Sequence, residues 1–235
     1  MKDIFKDLLK KTVDLLEEIV DEKKNEFQEK KVVPRKIDYS YNNTNSINSL
    51  IDIKKTYTVN SFGSTIFFSG NICRESADDL FIEIVKVNSL ISQINDENKQ
   101  RGISINYIDL YINSSGGSLM DSFVIGDFIS NSMYPINTCV QNAASGATII
   151  SNSGKKRFIQ KNGLMLIHQL SSSSKGNYRE LRDDFYNNTL FMDKIKKFYS
   201  EKTTMSNEKI EELLTKDIWL DAKTCLELGL VDKII

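Results

Sequence analysis

From Thr65 onward the sequence predicts an α/β fold with a largely parallel sheet. Three observations carry that reading. Short runs rich in Ile, Val and Phe alternate with segments of helical periodicity, the runs end at clusters of Gly, Ser, Asn or Pro, and the intervals between runs suit helical crossovers. TIFFS (Thr65–Ser69) reads as a strand ended by Gly70. Ser76, with Asp79 three residues on, has the pattern of a capping box and opens a helix with Leu80, Ile84, Val87, Ile91 and Ile94 on one face. INYIDLYIN (Ile105–Asn113) is a strand expected to break at Ser114-Ser115-Gly116-Gly117, before a helix carrying Met120, Phe123, Val124, Phe128 and Ile129. Pro135 precedes the strand INTCV (Ile136–Val140), and Ala143-Ala144-Ser145-Gly146 leads into another element. LMLIH (Leu164–His168) is a further strand. A long helix then spaces Tyr178, Leu181, Phe185, Met192, Ile195 and Tyr199 at three- and four-residue steps. Ser206 caps a short helix through Leu214, and GLVDKII ends the chain as a strand.

Ahead of this lies a different kind of sequence. Residues 1–31 place Phe5, Leu8, Leu9, Val13, Leu16, Ile19 and Val20 at helical spacing with charge between them, an amphipathic helix read as a surface or packing element, with partner docking as the alternative. Pro34 ends it. Tyr39–Ser49 is polar, Asn/Ser-rich and aperiodic, and reads as a linker. The expected organisation is an N-terminal segment over residues 1–60 and a folded domain over 61–235.

Charge and composition exclude several classes. With 31 Lys plus Arg against 32 Asp plus Glu, the net charge of −1 favours neither nucleic acid nor an anionic membrane. No apolar run is long enough to span a bilayer. Three scattered cysteines argue against a disulfide framework, and a single histidine against a His-rich metal site. The acid-studded start has no apolar h-region, so a reducing, cytoplasmic setting is expected. There is no Walker-type loop for coupling to ATP.

In parallel sheets, ligands bind beyond the carboxyl ends of strands. Three segments there carry chemistry. Ser115-Gly116-Gly117-Ser118 offers backbone N–H groups without Cβ obstruction, Ala144-Ser145-Gly146 offers a hydroxyl among small neighbours, and His168 offers an imidazole. Each alone is an ordinary turn, cap or core residue. Together they supply a nucleophile, a base and oxyanion donors, to which acyl transfer adds a carboxylate.

These segments resemble the proteolytic subunit of Clp proteases, ClpP. YINSSGGS (Tyr111–Ser118) looks like that family's Gly-Gly segment, NAASGA (Asn142–Ala147) like its nucleophile segment, LMLIHQL (Leu164–Leu170) like its histidine segment, and KDIWLDAKTCLELGLVDKII (Lys216–Ile235) like its carboxylate segment. The order agrees, with 23 residues from Ser145 to His168 and 49 from His168 to Asp217. The resemblance implies a ClpP/crotonase-type fold, sheets flanked by helices, and a protruding handle helix from about Gly176 to Ser200.

It further implies a serine endopeptidase with Ser145 as nucleophile, His168 as base and Asp217 orienting the imidazole. Asp221, four residues on, is the competing carboxylate. The N–H groups of Gly117 and Gly146 would hold the oxyanion, and Gly116, Ser118, Gln169 and Leu170 would border an extended polypeptide substrate. The implied assembly is two stacked homo-heptamers fed by an AAA+ unfoldase, with no metal or organic cofactor. A non-catalytic ring subunit and a crotonase-type acyl-CoA enzyme are the alternatives. The sequence departs from the family pattern at Ser115 (usually proline), Gly146 (usually methionine) and Lys216 (usually arginine), and before Thr65 it shows no counterpart of the family's short axial loop.

Overall fold

The computed structural model describes residues 55–235; the amphipathic helix over 1–31 and the linker over Tyr39–Ser49 lie outside them. The described chain runs β1 (Tyr57–Phe62), β2 (Thr65–Ile72), α1 (Arg74–Asn98), a 3-10 turn (Lys99–Arg101), β3 (Ile108–Gly117), α2 (Leu119–Ser130), β4 (Ile136–Ala144), α3 (Gly146–Asn152) and β5 (Arg157–Leu166). It continues with α4 (Tyr178–Lys202), α5 (Asn207–Leu214), β6 (Leu220–Asp221), α6 (Ala222–Glu227) and β7 (Lys233–Ile234). No described helix is long and apolar enough to cross a membrane.

The strands form one sheet in the order β1-β2-β3-β4-β5-β6, with β7 also on β5. β2 to β5 are parallel, whereas β1 joins β2 and β6 joins β5 antiparallel. The crossovers through α1, α2 and α3 each advance one strand in the same direction, so connections of one hand place these helices on one face of the sheet. Burial follows: Ile108, Leu110, Ile112, Ser114 and Gly116 of β3 are buried while Asn113, Ser115 and Gly117 are exposed. Isoleucine dominates the interior, with Ile66, Ile84, Ile91, Ile108 and Ile112 fully buried.

Several expected boundaries move, for identifiable reasons. The sheet starts at Tyr57, before Thr65, and a cut between residues 60 and 61 passes through β1. Gly70 bulges β2 without ending it. At φ 109° it lies so close to Thr56 and Tyr57 that a Cβ would collide, and the strand continues to Ile72. β3 likewise does not break at Ser114. Asn71 pairs with Gly116 and Ile72 with Gly117, and glycine supplies the φ of 96° and 148° that this ending needs. α1 starts one turn earlier than expected, with Cys73 as its N-cap. Ser76 Oγ accepts from Cys73 N–H at 2.9 Å, and Asp79 instead accepts from Lys55 Nζ at 2.9 Å and Tyr57 Oη at 2.8 Å, tying β1 to the helix. LMLIH is a strand only to Leu166, and the terminal strand is only Lys233–Ile234.

α4 starts where expected within two residues. Asn177 Oδ1 accepts from the N–H groups of Arg179 and Glu180, while Glu180 Oε2 accepts from Asn177 N–H. Only Ile195 and Tyr199 of this 25-residue helix are buried, whereas Tyr178, Leu181, Phe185, Tyr186 and Leu190 are exposed. Its first half therefore projects from the domain.

Arg157, at the start of β5, locks the C-terminal layer. Its guanidinium pairs with Asp232 and donates to Asn152 Oδ1 at 3.1 Å, Lys202 O at 2.6 Å and Gly229 O at 2.8 Å. Burial pushes the Asp232 carboxyl up, but the Arg157 hydrogen bonds outweigh it and hold the carboxyl below its ordinary value. Arg157→Ala is expected to cost roughly 2–3 kcal/mol at pH 7 by removing charge-assisted bonds. A depressed carboxylate stabilises the fold above its unfolded pKa, so the gap between wild type and variant should narrow as pH falls below about 4, leaving the part due to the Asn152, Lys202 and Gly229 acceptors. Thermal melts of both proteins across that range measure it.

Candidate active site

The serine expected to act as nucleophile stands at a forced turn. β4 ends with Ala143 opposite Met165 and Ala144 opposite Leu166, and Ser145 N–H then donates to Leu166 O at 2.9 Å. Ser145 has φ 55° and ψ −129°, the one positive φ outside glycine among the described residues. Such a conformation persists in a side-chain-bearing residue only when its surroundings determine it. The small neighbours make room. A Cβ on Gly116 would sit 2.6 Å from both Ala144 O and Ser145 Cβ, and one on Gly146 would strike Ser122 Oγ. Glycine is thus required at 116, where the φ is 96° and backbone stands in the way, while at 146 it leaves room for the Ser122 hydroxyl; the Gly-Gly end of β3 lies directly against the Ser145 elbow.

His168 follows β5 by two residues and is half-buried. Because Leu166 binds Ser145 N–H, the imidazole is carried on the segment that continues past the elbow. Asp217 lies on the irregular, exposed stretch between α5 and β6. β6 pairs antiparallel with β5, Leu220 opposite Met165 and Asp221 opposite Leu164. Asp217 stands three residues ahead of this two-pair ladder and His168 three residues beyond Met165. The adjacent bond from Gln169 N–H to Leu214 O at 2.8 Å keeps the two segments together there. Among the described residues the side chains of Ser145, His168 and Asp217 do not hydrogen-bond one another.

The competing carboxylate has another task. Asp221 is the N-cap of α6, accepting from Thr224 N–H at 2.8 Å, and this bond holds its carboxyl below the ordinary value. Lys216 is also engaged locally, 2.7 Å from Glu212 Oε1; with Lys209 on the other side, Glu212 is drawn down to about 2.

The residues expected to border substrate divide by the freedom of their backbone. Gly117 is exposed. Gly116 is buried, and its N–H is taken by Ser114 Oγ at 3.1 Å. Ser118 is a cap: its Oγ accepts from Asp121 N–H, its N–H donates to Ile72 O at 2.8 Å, and its carbonyl accepts from Ser122 Oγ at 2.7 Å. Gln169 and Leu170 have committed N–H groups, the latter to Met192 Sδ at 3.2 Å, so they offer carbonyls and side chains. Cys139 and Cys225 are poor rival nucleophiles, since burial pushes their thiols up to about 11 and about 12.

Sequence reasoning missed Ser122, Thr148 and Tyr199. Ser122 fills the space beside Gly146, and Thr148 Oγ1 donates to Ser145 O at 2.5 Å and lies 2.6 Å from Tyr199 Oη. Periodicity places Tyr199 on the apolar face of its helix, but nothing local marks it, Ser122 or Thr148 as neighbours of the serine, which the fold alone brings together.

A parallel sheet whose Gly-Gly strand end abuts a serine elbow, with a projecting helix after the histidine strand, is the ClpP-type α/β architecture. The chain belongs to the Clp protease family, whose profile matches residues 59–235. It is 28% identical over 173 residues to ATP-dependent Clp protease proteolytic subunit 1 of Rhodopirellula baltica, covering 72% of this chain and 71% of that protein. Its structure is similar to that of a ClpP1 mutant from Listeria monocytogenes, with a TM-score of 0.61 and 23% identity over 73% of this chain and 91% of that one. That likeness establishes the shared fold.

The packing of Gly146 against Ser122 is directly testable. Gly146→Ala should cost roughly 1–3 kcal/mol by overpacking, and Ser122→Gly in the same chain should return most of it, because both atoms in the way are removed. Melting temperatures of the two single variants and the double variant form the cycle that measures this.

Proposed function

We propose that this chain is a serine endopeptidase, the proteolytic subunit of a Clp-type complex, in which Ser145 attacks the scissile carbonyl. His168 takes the hydroxyl proton and returns it to the leaving amine, and Asp217 orients the imidazole. The N–H groups of Gly117 and Gly146 receive the oxyanion, and water then releases the acyl group from Ser145. The observation that supports the reading is the bond from Ser145 N–H to Leu166 O, which ties the serine elbow to the segment that carries His168 two residues on. Catalytic hydrogen bonds that are open in a free subunit commonly close in the substrate complex.

Substrate would enter as an extended, unfolded polypeptide and lie as an added strand between Gly117 and the carbonyls of Gln169 and Leu170. Backbone hydrogen bonds give such binding its breadth. The exposed Tyr178, Leu181 and Phe185 of α4 support burial by a second subunit, in keeping with stacked homo-heptamers. Ile218 and Trp219, exposed beside Asp217, support a neighbour at the carboxylate segment as well. An AAA+ unfoldase would deliver substrate, in a reducing cytoplasm suited to three free cysteines. The reaction so written needs no cofactor.

Fluorophosphonate labelling tests the reading. Ser145 should be modified in the full-length chain, and Ser145→Ala should abolish labelling and peptide hydrolysis. Absence of labelling in the wild type would favour a non-catalytic or acyl-CoA role. Asp217→Asn should lower turnover about 10³-fold or more, by analogy with triad carboxylates elsewhere. Asp221→Asn should leave it near wild type, since asparagine caps a helix as well as aspartate does. A damaging Asp221→Asn would reassign the carboxylate.

Enclosure generates a separate expectation. The purified chain should cleave short fluorogenic peptides and spare a stably folded protein, with or without ATP. A matching unfoldase plus ATP should release the second activity. Rapid unaided degradation of the folded protein, followed by gel electrophoresis, would mean the sites are open to solvent.

A further inference from the structure

The carbonyl of Ser145 accepts two hydrogen bonds, both from Thr148: from N–H at 3.0 Å and from Oγ1 at 2.5 Å. A threonine hydroxyl has one proton. With that proton on Ser145 O, Oγ1 is left as the acceptor for the phenol of Tyr199, 2.6 Å away. Tyr199 stands near the C-terminal end of α4 and is 2% exposed. Burial pushes its phenol up to about 12 despite the Thr148 bond, so it stays a donor at any working pH. The relay runs in one direction, from Tyr199 O–H to Thr148 Oγ–H to Ser145 O.

We propose that Tyr199 is a positioning residue for Ser145. Acting through Thr148, it holds the serine backbone at its positive φ and so keeps the hydroxyl aimed between the Gly-Gly strand end and the His168 segment. This rests on the reading of Ser145 as nucleophile. Ser145 sits where L-residues are strained, and such a residue relaxes unless both of its peptide groups are held. The N–H side is held by Leu166 O and the carbonyl side by Thr148. α3 has only seven residues, too few to enforce its own first turn. Threonine in a helix also divides between side-chain rotamers, only some of which bond back to the preceding turn. The Tyr199 phenol selects the rotamer that reaches Ser145 O.

Tyr199→Phe keeps the buried ring and deletes only the donor. In the full-length chain it should slow fluorophosphonate acylation of Ser145 about five- to tenfold, the range expected for one lost hydrogen bond. For a short peptide, kcat should fall by a similar factor with KM unchanged. Thr148→Val should do the same, Thr148→Ser should restore most of the rate, and the Tyr199→Phe/Thr148→Val double variant should be no slower than either single one. A purely structural role would lower the melting temperature and leave acylation of the folded protein at the wild-type rate, and that result overturns the proposal. Amide exchange read by mass spectrometry judges it independently of catalysis. Faster exchange over residues 146–148 in Tyr199→Phe, with 108–112 unchanged, supports the relay; no change, or a uniform rise across the chain, overturns it. If wild-type Ser145 takes no label, the peptidase reading falls and the exchange result alone decides the relay.

Discussion

The parallel pairing of β4 with β5 is the constraint on which the site depends. Ala144 opposite Leu166 delivers Ser145 N–H to the Leu166 carbonyl, and the same strand carries His168 two residues further on. The other edge of β5 binds β6 antiparallel, and Gln169 N–H holds Leu214 O, so the chain between α5 and β6 is tied at both ends to β5 and the segment after it. One strand thus anchors both the Ser145 elbow and the stretch that leads into β6. A slip of one residue in either pairing would turn the alternating faces over and shift the His168 segment relative to the Ser145 elbow.

Crowding at the elbow explains how this chain tolerates its departures from the family pattern. Ser122 Oγ occupies the space a side chain at Gly146 would need, so the small residue after Ser145 is matched by a buried hydroxyl beside it. Ser115 lies within β3, where pairing from both sides, Ser114 with Ala143 and Gly116 with Asn71, holds the backbone without a proline. Lys216 spends its charge on Glu212 in its own chain. Each substitution is accommodated by neighbours that local sequence does not reveal.

α4 joins two environments. Its first half exposes aromatic and aliphatic side chains, while Met192, Ile195 and Tyr199 near its end face inward. Met192 Sδ accepts from Leu170 N–H just beyond His168, and Tyr199 reaches Thr148 just beyond Ser145. These residues recur at helical spacing, so one face of one helix touches both the His168 segment and the Ser145 elbow. A displacement of the helix would be felt at both.

The sequence by itself determined the alternation of strands and helices, the apolar faces and the short motifs that resemble the Clp protease family. These are encoded locally, by hydrophobic periodicity and by small residues at strand ends. It did not determine where pairing begins or stops. β1 turns only Tyr57 and the partly buried Val59 to the core, too short an apolar alternation to mark a strand, while β3 continues through glycines that read as a turn because β2 pairs with them. The choice between Asp217 and Asp221 was equally invisible, since both are acids in one short stretch. The tertiary structure separates them by giving Asp221 to the cap of α6 and leaving Asp217 on the exposed stretch between α5 and β6. The contacts of Ser122 with Gly146 and of Tyr199 with Thr148 join residues 24 and 51 positions apart. A pattern with a period of two or four residues reports which side of its own element is buried, and only the packed fold determines what it is buried against.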